Sequence, residues 1–236
     1  MIDLTKDQGR WTVTLNRPDK ANALTVDMLE QLDAIFAAAQ AAHDLRVLVV
    51  TGAGDRVFCA GADLGQAKDA TGITTNPIWE SVSNRLAALP CLTIAALNGT
   101  LAGGGFGVGL ACDLRLAVPG AKFFYPVLKN GFLPQPSDVK RLNALIGPAR
   151  TRLILLAGQK LGTAEALSIG LIDRIVDALD MPQMIDQLSA AALTAREPVL
   201  AAIKKLGQSH LSDDLRQDCY RAVYQDDSDA LLRIRR

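Results

Sequence analysis

The stretch LNGTLAGGGFGVGLACDLRLA, residues 97–117, holds three consecutive glycines at 103–105 and two more at 107 and 109. Arg85 before it and Asp113 after it are the nearest charges, so residues 86–112 are uncharged throughout. That length is enough to span a bilayer. Six glycines between 99 and 109, together with Pro90, Asn98 and Thr100, interrupt the apolar pattern. A buried strand, a turn and a buried helix therefore fit this composition better than a membrane span. Working outward, CLTIAAL (91–97) reads as the buried strand entering the glycines and DLRLAV (113–118) as the strand leaving them. Upstream, WTVTLN (11–16) alternates as a strand, and LRVLVVTG (45–52) is an apolar run ending in glycine. Thr25 is placed to cap a helix over TVDMLEQLDAIFAAAQAAH (25–43). Residues 53–65 read as a loop, and a longer loop and a helix reach to about Leu89. Apolar strands alternating with helices predict an α/β fold with covered sheets.

From Asp138 onward helices dominate. DVKRLNALIG (138–147), PARTRLILLAG (148–158) and TAEALSIG (163–170) each end at a glycine. LIDRIVD (171–177) is a last short strand, and beyond Met181 every segment is amphipathic helix. The expected organisation is a core over 1–180 and a helical C-terminal region over 181–236. Such a region cannot bury its apolar faces alone and should pack on the core or on another subunit.

The whole chain has 236 residues, 49% of them hydrophobic, with 25 basic and 25 acidic side chains. No net charge points to a nucleic-acid groove or a membrane surface, so an anionic ligand would need a local site. Cys59, Cys91, Cys112 and Cys219 have no CxxC spacing, and His43 and His210 stand in different segments. Free thiols in a cytoplasmic protein without a metal centre are the expectation. The N-terminus lacks a charged region followed by an apolar one, so no signal peptide is expected.

The glycines do not spell a dinucleotide fingerprint, because GxGxxG would need glycine at 108, which is Val108; no GxxxxGK[ST] exists either. Two readings remain. Glycine permits close helix–strand packing. It also bares N–H groups, and a second small-residue loop, Ala60-Gly61-Ala62 in VVTGAGDRVFCAGADL, does the same. Two such loops facing each other would donate two N–H groups to one carbonyl oxygen, an oxyanion hole suited to a thioester. Glycine spacing leaves both readings open.

Four segments, NRPDKANAL (16–24), FCAGADL (58–64), LNGTLAGGG (97–105) with ACDLRLA (111–117), and GQKLGTAEALSIGLIDRIV (158–176), resemble the enoyl-CoA hydratase/isomerase (crotonase) superfamily in order and spacing. The resemblance implies a crotonase-like core of stacked ββα turns, with a C-terminal helical region used in trimerisation. It implies an acyl-CoA thioester ligand, coenzyme A entering as part of the substrate with no separate cofactor, and a homotrimer or dimer of trimers. The oxyanion donors fall on Ala62 and Gly104, and CoA contacts on Lys20, Ala21, Ala23, Ala60, Asp63 and Leu64. A lysine frequent after this motif is replaced by Gly65, with Lys68 a little later. Asp63 also suits capping of nearby N–H groups.

The departures concern proton transfer. The family's hydratases carry glutamates in GGGxE and FGxPE; here those places are Gly107 and Val127, which cannot titrate. GFLPQPSDVKRL (131–142) puts Asp138 near the nucleophilic aspartate of the dehalogenase branch, although a Ser-Asp pair there is also what a helix N-cap and first turn look like. Tyr125 lies near the acyl pocket, as do Trp79 and Glu80, with Glu80 expected on a solvated helix face. The resemblance thus implies an acyl-CoA enzyme with a non-standard acid and base, or an acyl-CoA-binding protein with little catalysis.

Overall fold

The alternation at the start of the chain builds a hairpin. In the computed structural model, which describes residues 1–63, 65, 75–207 and 211–235, β1 (Ile2–Asp7) pairs antiparallel with β2 (Arg10–Leu15) across a Gln8-Gly9 turn in which both residues have positive φ. Trp11, Val13 and Leu15 face inward at every second position. Thr25 caps α1 (Val26–Ala41) as expected, its Oγ1 accepting the Met28 N–H at 3.2 Å.

From there the chain repeats one unit. β3 (Val47–Gly52) is followed by β4 (Val57–Cys59) and α2 (Ile78–Ala88). β5 (Leu92–Leu97) is followed by β6 (Thr100–Ala102), a 3-10 turn over Gly103–Gly105 and α3 (Phe106–Gly109). β7 (Leu114–Ala117) is followed by β8 (Lys122–Phe124) and α4 (Val127–Asn130). The first strand of each unit joins a six-stranded sheet ordered β1-β2-β3-β5-β7 and then β10 (Arg174–Ile175), parallel from β2 onward; the second joins a four-stranded sheet with β4, β6 and β8 parallel. This is the expected stacked ββα spiral. Its completing elements are α5 (Pro136–Leu155), β9 (Leu161–Gly162), α6 (Thr163–Ser168) and β10 (Arg174–Ile175). α5 spans both helices read from the sequence, broken at Gly147, whose φ of 78° precedes Pro148.

Two expectations are corrected. Residues 53–65 are not all loop, because Val57–Cys59 pair with β6. The glycine-led helix is a single four-residue turn, since glycine disfavours helix and little chain separates it from β7. The uncharged run 86–112 is divided among the end of α2, two strands and this turn, and no helix among the described residues is long and apolar enough to cross a membrane.

α7 (Met181–Thr194) adds Met181 and Ala192 to the main core. α8 (Glu197–Leu206), α9 (Asp213–Tyr224) and α10 (Ser228–Ile234) bury a second, smaller cluster around Cys219, Ala222 and Ile234. Lys204 fastens it to the main body, donating to the Cys91 carbonyl at 2.8 Å and to Asp113 at 2.9 Å.

Candidate functional site

Three sequence-distant loops meet beyond the ends of β2, β4 and β6, the first two joined by backbone hydrogen bonds. Ala21 and Asn22 take left-handed conformations, with φ of 52° and 53°. The buried Asn22 side chain holds that turn by accepting from Arg17 N–H and donating to the Ala53 and Val57 carbonyls at 2.9 and 2.8 Å. Leu24 then bridges to Ala62: its N–H donates to the Gly61 carbonyl and its carbonyl accepts from Asp63 N–H, both at 2.8 Å. In that parallel bridge the Ala62 N–H takes no part and faces the other way.

Gly61 presses against the glycine turn. Its φ is 100°, and a Cβ there would stand 2.8 Å from Gly104 N. Gly104 lies in the first turn of its short helix, where N–H groups have no acceptor within the helix. The two small-residue loops are therefore in backbone contact and open into one cavity of about 390 Å³.

Of the residues singled out from sequence, Lys20, Ala23, Ala60, Ala62, Asp63, Gly104 and Tyr125 line that cavity. Ala21 does not; its carbonyl instead accepts the Ala60 N–H at 3.0 Å and sets the loop. Leu64 and Lys68 lie outside the described residues. Asp63 accepts from Gly65 N–H at 2.7 Å, the expected capping role, and also ion-pairs with Arg17. Trp79 also lines the cavity, packed so closely on Gly104 that a Cβ there would stand 2.8 Å from the indole. Val127 lines the cavity too. Phe132, Leu133 and Gln135 were not foreseen as lining; their apolar, proline-broken segment FLPQ was the available signal.

Asp138 and Glu80 depart together from their sequence readings, the first as a cap and the second as a solvated side chain. Asp138 stands in the first turn of α5 as expected, but its carboxyl does not cap the helix: it is 0% exposed, and its Oδ2 accepts from the Tyr125 hydroxyl at 2.8 Å. Its Oδ1 has no hydrogen-bond partner among the described residues. Burial raises its pKa to about 7, against the opposing pull of the Tyr125 hydrogen bond and of Arg141. Burial and the neighbouring Asp138 push the Tyr125 phenol well above its ordinary range. Glu80, expected in solvent, caps α5 instead, its Oε1 accepting from Ser137 N–H at 3.2 Å and Ser137 Oγ at 2.8 Å. The helix end attracts one carboxylate; Glu80 reaches it from α2, so Asp138 is released inward.

The space for that inward turn is at Gly107. A Cβ on Gly107 would lie 3.3 Å from Asp138 Oδ1 and 3.7 Å from Ser83 Oγ. Ser83 donates to the Gly107 carbonyl at 2.6 Å and accepts from Arg141. The buried cysteines Cys59, Cys91 and Cys112 are pushed by desolvation to about 12, so none is a ready thiolate.

A family model described as enoyl-CoA hydratase/isomerase matches residues 5–225. The chain is 30% identical over 207 residues to the short-chain-enoyl-CoA hydratase of Clostridium acetobutylicum, covering 86% of this chain and 79% of that protein. It is 30% identical over 210 residues to the carnitinyl-CoA dehydratase of Escherichia coli, covering 87% and 79%. The crystal structure of an enoyl-CoA hydratase from Bacillus anthracis superposes with a TM-score of 0.84 at 26% identity, covering 95% of this chain and 91% of that one.

Proposed function

Because the chain belongs to the enoyl-CoA hydratase/isomerase family, we propose that it acts on an acyl-CoA thioester by stabilising the enolate of the thioester carbonyl. The Ala62 and Gly104 N–H groups receive the oxyanion. One observation carries this reading: two loops 42 residues apart in number, each stripped of side chains, meet in backbone contact and both line one cavity. Close packing alone would explain Gly61, but not why Gly104 and Ala62 both line the cavity. Low-dielectric surroundings strengthen such donors. Coenzyme A enters as part of the substrate, past Lys20, Ala23 and Asp63, and no separate cofactor takes part.

Hydration by two glutamates is not the reaction, since Gly107 and Val127 supply neither an acid nor a base. The same two residues favour the second reading, an acyl-CoA binder with little turnover. Calorimetric titration with crotonyl-CoA and an aromatic acyl-CoA, followed by mass spectrometry of each mixture, separates them. Binding with a mass or isomer change is expected; binding without change over hours identifies a binder. Gly104→Val drives a side chain into the Trp79 ring and displaces the donor. It should lower kcat/KM on a turned-over thioester by about a hundred- to a thousand-fold; unchanged turnover would refute the oxyanion assignment.

We further propose assembly as a homotrimer or dimer of trimers. Exposed Ile203, Tyr220, Tyr224 and Leu232 on the C-terminal helices support it, and sedimentation equilibrium reads the mass directly.

A further inference from the structure

We propose that Tyr125 and Asp138 form a proton relay at the cavity wall, with Tyr125 as the catalytic residue that meets the substrate and Asp138 as the buried group that positions it and holds the proton. The inference rests on the acyl-CoA reading above and says what replaces the two absent glutamates.

Three observations carry it. Tyr125 lines the cavity and its hydroxyl sits 2.8 Å from Asp138 Oδ2. Asp138 is fully buried with one oxygen unpartnered among the described residues, an arrangement that costs stability unless the group is neutral or is used. Finally, Gly107 is where the carboxyl finds its room: the position that holds no side chain faces Asp138 Oδ1 at 3.3 Å. The proton-handling carboxyl thus comes from α5 rather than from α3. The phenol ring is fixed by stacking on Phe106, centroids 5.3 Å apart, and the phenol oxygen also accepts from the Gln135 N–H. The charged groups facing the pair are Glu80 from α2 and Arg141 from its own helix. The Arg141 guanidinium is engaged with Ser83 and Asn84, so it does not close an ion pair with the carboxyl.

The step balances without a co-reactant. The phenol oxygen removes a proton from the carbon next to the thioester carbonyl, while Asp138 Oδ2 takes the phenol's original proton. The C–H electron pair passes into the enolate held by the two backbone N–H groups. One negative charge leaves the carboxylate and appears on the enolate, and no phenolate accumulates. Reversing the relay onto the γ-carbon of a 3-enoyl thioester yields the 2-enoyl thioester. A single proton handler is enough for this shift, whereas hydration also needs a group to activate water.

The test is deuterium uptake from D2O into a short 3-enoyl-CoA, followed by mass spectrometry beside the formation of the conjugated product. Tyr125→Phe and Asp138→Asn are compared with the wild type, and calorimetric CoA-thioester binding and thermal unfolding are recorded on the same preparations. Wild-type exchange should rise with pH through about 7 as the carboxylate form appears. Both variants should bind thioester yet exchange about 10²–10⁴-fold more slowly, and Asp138→Asn should lose the pH dependence. Binding with undiminished exchange in either variant overturns the relay and leaves the acyl-CoA reading standing. Binding without exchange in the wild type overturns it too and favours the binder. No binding by folded wild type removes the acyl-CoA reading and the relay with it.

Discussion

The two walls of the cavity are built from different parts of the polypeptide. One wall, from Ala23, Ala60, Ala62, Asp63, Gly103 and Gly104, presents mainly backbone; a glycine stands on each side where Gly61 meets Gly104, and its shape is held by buried amides such as Asn22. The other, Trp79 and Tyr125 with Asp138 behind, presents side chains delivered by α2, α5 and the turn after β8. A backbone donor survives any substitution that keeps residues small and the loop conformation intact. A side-chain acid or base is lost by one substitution and must be supplied again from whichever element can reach. The two aspartates mirror this contrast. Asp63, on the backbone wall, is satisfied by Arg17 and Gly65, whereas Asp138, on the other, keeps one oxygen without a partner.

The harshest way to break the contrast is to put a carboxyl back on α3. Gly107→Glu forces a second acid against Asp138 Oδ1 in a buried site. An unpaired buried charge costs about 3–5 kcal/mol, so the variant should unfold at far lower denaturant. Adding Asp138→Ala should recover part of that loss, and additivity of the two changes in a double-mutant cycle would show that the positions are not coupled.

Next in size is the pH dependence of stability. Asp138 has a folded pKa raised from 3.8 to about 7. Below pH 4 both folded and unfolded states hold the proton. As pH rises, the unfolded chain ionises first, so stability falls between about pH 4 and pH 7, by an amount on the order of 4 kcal/mol. Urea unfolding across that range should show this decline in the wild type and not in Asp138→Asn. The smallest effect belongs to the backbone wall. Asp63→Asn removes the half-buried ion pair with Arg17 and retains an acceptor for Gly65 N–H, which should cost about 1 kcal/mol or less. Its thermal midpoint should shift little and become less sensitive to salt.

Much of this molecule is legible in one dimension. The buried strands 47–52, 92–97 and 114–117 are short apolar runs bounded by turns, and the small-residue loops announce themselves because only Ala and Gly allow the approach seen between Gly61 and Gly104. The family follows from those same segments. The short strands Val57–Cys59, Thr100–Ala102 and Lys122–Phe124 were not legible, because three residues cannot display a period; they exist through pairing with one another.

The sequence by itself determined the buried first strand of each unit and the small-residue loops, since both rest on local hydrophobic patterning and on which residues leave the backbone bare; the ββα arrangement came from the family resemblance. It also shows Gly107 and Val127, neither of which can titrate. Only the tertiary structure decided which carboxyl lies beside Gly107. Asp138 reads locally as a helix cap, and it turns inward because Glu80, 58 residues earlier in number, takes the α5 terminus, while Gly107 leaves room for a carboxyl. A helix end accepts a carboxylate from any element within reach, so the direction in which Asp138 faces depends on contacts that no local stretch of sequence contains.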